Sequence, residues 1–154
     1  MVFETLPLPP GIRSRFVPNS NGLTMHLLEA GFEGQDRPCV LLLHGFPELA
    51  YSWRKMMLPL ATAGFHVIAP DQRGYGRTTG WDGDYDGDLH SFRMLNLVRD
   101  TIGLVAALGN RAFDFVVASL FEEIQAAADL VVAVADHVRP VMRRDLGERL
   151  LALL

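Results

Sequence analysis

The stretch LLLHGFPE, from Leu41 to Glu48, joins three aliphatic residues to a histidine, a glycine and a proline. The continuous aliphatic run Val40–Leu43 is typical of a strand buried on both faces. Gly45 allows the chain to turn sharply after that strand, and Pro47 restricts the backbone that follows. Amide groups presented by such a turn can stabilise negative charge on an oxygen, at about 3–4 kcal/mol per donor. We therefore predict a buried strand that leads into a charge-stabilising turn.

Outward from this stretch, strand and helix patterns alternate, which indicates an α/β fold with parallel strands and flanking helices. A loop rich in turn-forming residues predicts an N-terminal hairpin. The predicted elements are hairpin strands over residues 12–17 and 23–30, strands over 40–43, 66–70 and 113–117, and helices over 52–63 and 91–108. The second helix is indicated by apolar residues at helical spacing, namely Phe92, Leu95, Val98, Ile102, Val105 and Leu108. After residue 117 only helical spacing recurs, which predicts a helical tail.

Length and composition limit the possible classes of protein. The 154 residues fit one ordinary domain, and a net charge of −4 with scattered Lys and Arg argues against a nucleic-acid partner. The single cysteine, Cys39, excludes an internal disulfide and is expected to be a small buried residue of the strand. The N-terminus lacks the apolar segment of a secretory signal, and LVVAVA is far shorter than the ~20 residues of a membrane helix. We expect a soluble cytoplasmic protein without a membrane partner.

Two glycine-containing motifs follow two of the predicted buried strands. HGFP follows residues 40–43, and DQRGYGRT, Asp71–Thr78, follows residues 66–70, with Ser52-Trp53-Arg54 between them. This combination resembles the N-terminal part of the epoxide hydrolases of the α/β-hydrolase fold, over about residues 10–117. The resemblance implies a doubly wound sheet, a nucleophile elbow, a cap domain, and a late acid and histidine. It divides the chain into residues 1–117, part of an α/β-hydrolase domain with a partial sheet, and residues 118–154, a divergent helical tail without a cap domain.

The resemblance also implies roles for individual residues. The backbone N–H of Phe46 would be one of two oxyanion donors, and the Phe46 ring and Pro47 would line the substrate pocket, with a cis peptide bond before Pro47. Relatives use a much later histidine as base, so His44 is expected to have a packing or turn role. Asp71 and Arg73 are interpreted as a charged pair that holds their loop.

The residue that should attack the substrate is missing from its expected place. In the family a nucleophile flanked by small residues follows the strand near residue 117. Alignment puts Ala118-Ser119-Leu120-Phe121-Glu122 on that elbow, with Leu120 at the position of the attacking aspartate. Ser119 is one residue early, and neither Asp129 nor the neighbours Asp136 and His137 has the required surroundings.

Asp114 lies inside the predicted strand, and no nucleophile, acid and histidine occur in the order that the fold requires. The cap tyrosines of the relatives have no counterpart either. One hypothesis is that the gene has lost or shifted its later coding sequence, which would make the protein a truncated member with a foreign helical end.

An acidic loop, Asp82–Asp88, resembles the beginning of a calcium-binding loop. Such a loop needs a bidentate glutamate at its twelfth position, where this chain has Arg93. We therefore expect a solvated loop that caps the helix near Ser91, and we predict no metal site and no cofactor.

Two functional interpretations remain open at this point. The first is an epoxide hydrolase-like protein for a small hydrophobic epoxide or ester, with little or no activity because the nucleophile is absent. The alternative is a non-catalytic remnant that self-associates or binds a partner, with a homo-oligomer as one form of it. A membrane-surface helix at the C-terminus has only Arg143, Arg144 and Arg149 for its basic face, which argues against it.

Overall fold

A computed structural model describes residues 6–18, 21–34 and 37–108, together with the backbone of residues 115–118. Its strands are β1 (Ile12–Pro18), β2 (Thr24–Ala30), β3 (Cys39–Leu43), β4 (His66–Pro70) and β5 (Phe115–Ala118). The helices are α1 (Arg54–Thr62), preceded by a 3₁₀ turn at Ala50–Trp53, and α2 (Met94–Ala107), preceded by a 3₁₀ turn at Leu89–Phe92. Each predicted element within these residues is present, with boundaries that agree to within three residues.

The described strands form one sheet in the order β1-β2-β4-β3-β5. β1 pairs antiparallel with β2, and β2 pairs antiparallel with β4. β3 lies between β4 and β5 and is parallel to both. The predicted hairpin and the parallel strands with crossover helices are therefore confirmed, and β3 is an interior strand whose aliphatic side chains are covered on both faces.

The core has two layers, one on each face of the sheet. On one face Leu28, Val40 and Leu42 pack with Met57 and Leu60 of α1. On the other face the sheet packs with Leu104 of α2; the buried residues there include Leu27, Cys39, Leu41 and Ile68. Cys39 is 3% exposed, so its expected place in the strand is confirmed.

Three of the apolar residues that recur at helical spacing in α2 do not face the core. Leu95, Val98 and Ile102 are 76%, 46% and 61% exposed, whereas Asp100 and Leu104 are buried. The buried side of the helix instead includes Asp100, whose carboxylate has a buried cationic partner. Hydrophobic periodicity cannot predict such an ion pair, because it contains no information about which residue lies opposite the helix.

Candidate active site

Both glycine-containing motifs lie at one edge of the sheet. HGFP follows β3 and DQRG follows β4, and these strands run parallel in adjacent positions. Leu43 at the end of β3 is in register with Ala118 at the end of β5, so Ala118 lies beside the strand end that leads into HGFP. The carboxyl edge of such a sheet is where ligands bind in open α/β folds, which makes this edge the candidate site.

The HGFP turn presents its aromatic and proline side chains to solvent. The Phe46–Pro47 peptide bond is cis, as the resemblance implied. The Glu48 N–H donates to the Gly45 carbonyl at 3.1 Å, which closes the turn. Phe46 is 71% exposed and Pro47 is also exposed. In the part of the chain that the structure describes, the Phe46 N–H has no hydrogen-bond acceptor, so this donor is available to a ligand.

His44 holds the turn against the neighbouring loop. Its side chain is 3% exposed, and both ring nitrogens are hydrogen-bonded. Nδ1 donates to the Gly45 carbonyl at 2.9 Å, while Nε2 accepts the Gln72 N–H at 3.0 Å. The Gln72 side-chain amide in turn donates to the His44 carbonyl, and the Tyr75 ring packs edge-on against the imidazole. With no nitrogen left to take a substrate proton, His44 has the packing and turn role that the sequence predicted.

Asp71 is the centre of the loop after β4. Its carboxylate accepts the Ala50 N–H at 2.9 Å, the Arg77 N–H at 3.0 Å and His26 Nδ1 at 2.7 Å. Burial by itself would raise the pKa of the Asp71 carboxyl. The hydrogen bonds from His26, Arg77 and Ala50 outweigh burial and lower that pKa, so the group is held as a carboxylate. Asp71 thereby holds two segments in a fixed relative position: the 3₁₀ turn that begins at Ala50, and the loop after β4 that contains Arg77.

The interpretation of Asp71 and Arg73 as partners of each other is wrong. Arg73 Nε lies 2.8 Å from Asp100 Oδ2, and Arg73 Nη2 lies 2.7 Å from Asp100 Oδ1. Each of the two loop residues therefore stabilises the loop, but through a different element: Asp71 through β2, and Arg73 through α2. Neighbours in sequence gave no indication of these partners, which are 45 and 27 residues away.

The acidic loop supports the helix that follows it. The Asp88 carboxylate accepts the His90 N–H at 2.8 Å and so caps the 3₁₀ turn at Leu89–Phe92. Asp82 and Asp84 accept backbone N–H groups two residues onward, at 3.0 and 3.1 Å. Across the described residues no group of three or more His, Cys, Asp or Glu side chains is arranged to hold a metal ion. The same residues contain no helix long and apolar enough to cross a membrane.

The predicted nucleophile position lies outside the described residues. β5 ends at Ala118, and Ser119, Leu120, Phe121 and Glu122 follow it. Asp114, Asp129, Asp136 and His137 are also outside the described part of the chain. The assignment of Leu120 to the nucleophile position therefore stays a prediction.

The sequence matches the family model of the alpha/beta hydrolase fold over residues 38–120. The chain belongs to the α/β-hydrolase fold family. This match includes β3, β4, β5 and both helices, and it ends at Leu120, the predicted nucleophile position.

Individual relatives narrow the family to its epoxide hydrolase-like members. The chain is 45% identical to the AB hydrolase superfamily protein YfhM of Bacillus subtilis over 95 residues. These residues make up 62% of this chain and 30% of YfhM. Over 91 residues it is 45% identical to epoxide hydrolase A of Mycobacterium tuberculosis, 59% of this chain and 26% of that protein.

Solved structures of epoxide hydrolases also match this chain. Epoxide hydrolase I of potato (Solanum tuberosum) matches with a TM-score of 0.62 and 42% identity, over 75% of this chain and 34% of that structure. An epoxide hydrolase of Vigna radiata matches with a TM-score of 0.60 and 38% identity, over 74% of this chain and 32% of that structure. This α/β-hydrolase therefore spans about a third or less of the length of these relatives. The division at residues 117 and 118 stays a prediction.

Proposed function

We propose that this α/β-hydrolase carries the oxyanion-donor half of an epoxide hydrolase-like active site. The proposal rests on the Phe46 N–H, which has no acceptor in the described part of the chain and lies at the carboxyl edge of the sheet. In the proposed site this N–H would stabilise the oxyanion that forms when an ester of the nucleophile is hydrolysed. The exposed Phe46 ring and Pro47 would contact a small hydrophobic epoxide or ester.

This chain is not expected to complete the reaction by itself. In the epoxide hydrolase reaction an aspartate attacks an epoxide carbon, the C–O bond breaks, and water then hydrolyses the resulting ester. A leucine side chain cannot attack, so the 154 residues should show little or no turnover with Leu120 at the nucleophile position. Removal of a nucleophile normally leaves only the small contribution of binding and of the oxyanion donors.

Incubation with styrene oxide tests this proposal. Wild-type protein should form no diol above the buffer rate, while Leu120→Asp should gain a covalent ester at residue 120, detected by peptide mass spectrometry. Phe46→Ala in the Leu120→Asp background should slow this alkylation, because the apolar contact to the epoxide is lost. Leu89→Asp, at a position that is 70% exposed, controls for alkylation of any surface carboxylate.

Two outcomes would contradict the proposal. Wild-type turnover that survives Leu120→Asn but is lost in Ser119→Ala would mean that Ser119 is the nucleophile. Equal alkylation of residue 120 in Leu120→Asp and of residue 89 in Leu89→Asp would mean that residue 120 has no special place beside the oxyanion donor.

A second candidate function, self-association, is favoured by the outer face of α2. Met94, Leu95, Val98 and Ile102 are 46% to 76% exposed within the described structure and lie on adjoining turns of one helix. Clusters of exposed apolar side chains often mark interfaces. If two copies associate through this face, light scattering should give twice the monomer mass for wild type and the monomer mass for Leu95→Lys/Ile102→Lys. A monomeric wild type at micromolar concentration would exclude this candidate.

A further inference from the structure

A serine, a histidine and an aspartate form a hydrogen-bonded chain that runs from the hairpin strands to the first residue of the loop after β4. Ser14 Oγ lies 2.9 Å from His26 Nε2, and His26 Nδ1 lies 2.7 Å from Asp71 Oδ2. Ser14 is on β1, three strands away from β3 and the HGFP turn in the sheet order, while Asp71 follows β4. We propose that Ser14, His26 and Asp71 form a second nucleophilic site, in which Ser14 is the attacking group for small activated esters.

The hydrogen bonds match the protonation pattern that such a site needs. Asp71 is a buried carboxylate with a lowered pKa, so it accepts a hydrogen bond from the N–H at His26 Nδ1. A neutral imidazole with Nδ1 protonated has an unprotonated Nε2, which accepts the Ser14 hydroxyl proton. The distance of 2.9 Å is within the range in which a base removes the proton of a nucleophile. Asp71 therefore positions His26, and His26 serves as base toward Ser14.

The three residues differ in burial in a way that suits this chemistry. His26 and Asp71 are 1% and 3% exposed, so their hydrogen bond is shielded from water. Ser14 is exposed on the sheet surface, where a dissolved ester can reach it. A base and its orienting carboxylate that are buried beneath an accessible hydroxyl have the arrangement of an activated nucleophile.

The backbone N–H of Ser14 is oriented to stabilise negative charge that forms beside the Ser14 hydroxyl. β1 is the edge strand of the described sheet, and the Ile12 N–H turns away from β2 to donate to the Pro9 carbonyl. N–H groups two residues apart on a strand point to the same side, so the Ser14 N–H also points away from β2. The Phe16 ring, 40% exposed and 5.2 Å from the His26 ring, gives an apolar contact for an aryl or acyl group.

The reaction balances with water as the only co-reactant. Ser14 Oγ forms a bond to the carbonyl carbon of an aryl ester, and the ester C–O bond breaks. The hydroxyl proton passes to His26 Nε2 and from there to the leaving phenolate. Water then cleaves the acyl-serine, with its proton taken by the same nitrogen and returned to Ser14.

Reaction with an alkyl fluorophosphonate tests whether Ser14 is activated. The serine oxygen would displace fluoride and leave a stable adduct, which peptide mass spectrometry locates. The internal control is Ser52, which is also exposed and whose hydroxyl has no histidine hydrogen bond in the described structure. Because a general base contributes 10²–10⁴-fold in rate, Ser14 should react at least about 100-fold faster than Ser52 in native protein.

The role of His26 is tested by His26→Gln and by unfolding. In His26→Gln, the rate at which Ser14 reacts with the fluorophosphonate should be about equal to the rate for Ser52. Circular dichroism checks that the variant is folded. If this variant does not fold, urea-unfolded wild type serves instead, since unfolding separates Ser14 from His26, and the ratio of the two rates should again be about one. A ratio of ten or less in native wild type would overturn the proposal, as would a ratio above ten in the unfolded chain.

Ester cleavage is measured with p-nitrophenyl acetate. Ser14→Ala should abolish the p-nitrophenolate release that exceeds the rate of the urea-unfolded protein, and Ser52→Ala should leave that release unchanged. Equal rates for wild type and Ser14→Ala would overturn the assignment of Ser14 as the attacking group. These experiments do not involve Leu120 or styrene oxide, so they are independent of the function proposed above.

Discussion

Arg73 and Asp100 form a buried two-point ion pair between the loop after β4 and helix α2. The Nε–Oδ2 and Nη2–Oδ1 distances are 2.8 and 2.7 Å, and both side chains are at least nine-tenths buried. Parallel hydrogen bonds of this kind fix the relative orientation of the two groups as well as their distance. The pair therefore sets the rotation of α2 about its axis and leaves Leu95 and Val98 on the outer side.

Removal of one partner of this pair should be strongly destabilising. Arg73→Ala leaves the Asp100 carboxylate buried without its cation, which typically costs about 3–5 kcal/mol in the free energy of unfolding. Arg99→Ala is the matched control on the same helix, because Arg99 is exposed, and it should change stability by less than about 0.5 kcal/mol. Urea denaturation followed by circular dichroism measures both variants. Similar values for the two would show that the pair does not hold α2.

Gly76 should resist substitution because of its position against Asp71. Its φ is +52°, and a Cβ there would overlap the Asp71 carboxylate. Gly64 has φ +100° with open space around it, so Gly64→Ala measures the cost of the backbone conformation alone, about 1–2 kcal/mol. Gly76→Ala should cost at least about 2 kcal/mol more, because the buried carboxylate loses hydrogen bonds. Equal losses in thermal stability would contradict the contact.

Glu29 should make stability depend on pH in the acid range. Burial alone would raise the pKa of the Glu29 carboxyl, but hydrogen bonds from His66 and Arg13, with the charges of Arg13 and Arg15, lower it to about 2. A carboxyl with a lowered pKa in the folded state stabilises the protein above its unfolded pKa of 4.5, and this contribution is lost as pH falls toward 2.

The contribution of Glu29 should amount to at most about 3 kcal/mol. Urea denaturation between pH 6 and pH 2.5 should give a steeper loss of stability for wild type than for Glu29→Gln. The difference between the two curves isolates Glu29 from Asp71, which also has a lowered pKa and contributes to both. Parallel curves would show that the Glu29 carboxyl is not held in its charged form.

His44 should matter for the stability of the HGFP turn. His44→Leu keeps an apolar side chain of similar size but leaves the Gln72 N–H without its acceptor and removes one of the two donors to the Gly45 carbonyl, which keeps the Glu48 N–H. Unsatisfied buried groups of this kind cost about 1–3 kcal/mol each, so the melting temperature should fall by several degrees. His90→Leu is the control, because the His90 side chain is 67% exposed. Equal melting temperatures for the two variants would contradict the structural role of His44.

Much of the candidate site could be predicted from sequence because its parts are local. The turn at Gly45, its place after a buried strand and the cis bond before Pro47 follow from a few adjacent residues and a family resemblance. The partners of Asp71 could not be predicted, since His26 is 45 residues away. The sequence around a histidine in a strand does not indicate which carboxylate it will contact. The same holds for Ser14, whose neighbour across the sheet depends on strand register.

By itself, the sequence determined the strands, the helices and the turn that presents Phe46, because each depends on local conformational preference and on the burial of aliphatic runs. Only the tertiary structure decided which charged groups meet. It paired Arg73 with Asp100 instead of Asp71, turned α2 accordingly, and brought Ser14 and Asp71 to the two sides of His26. The physical reason is that a buried charge must find a partner in space, and the cost of leaving it unpaired exceeds the gain from burying a few more apolar side chains.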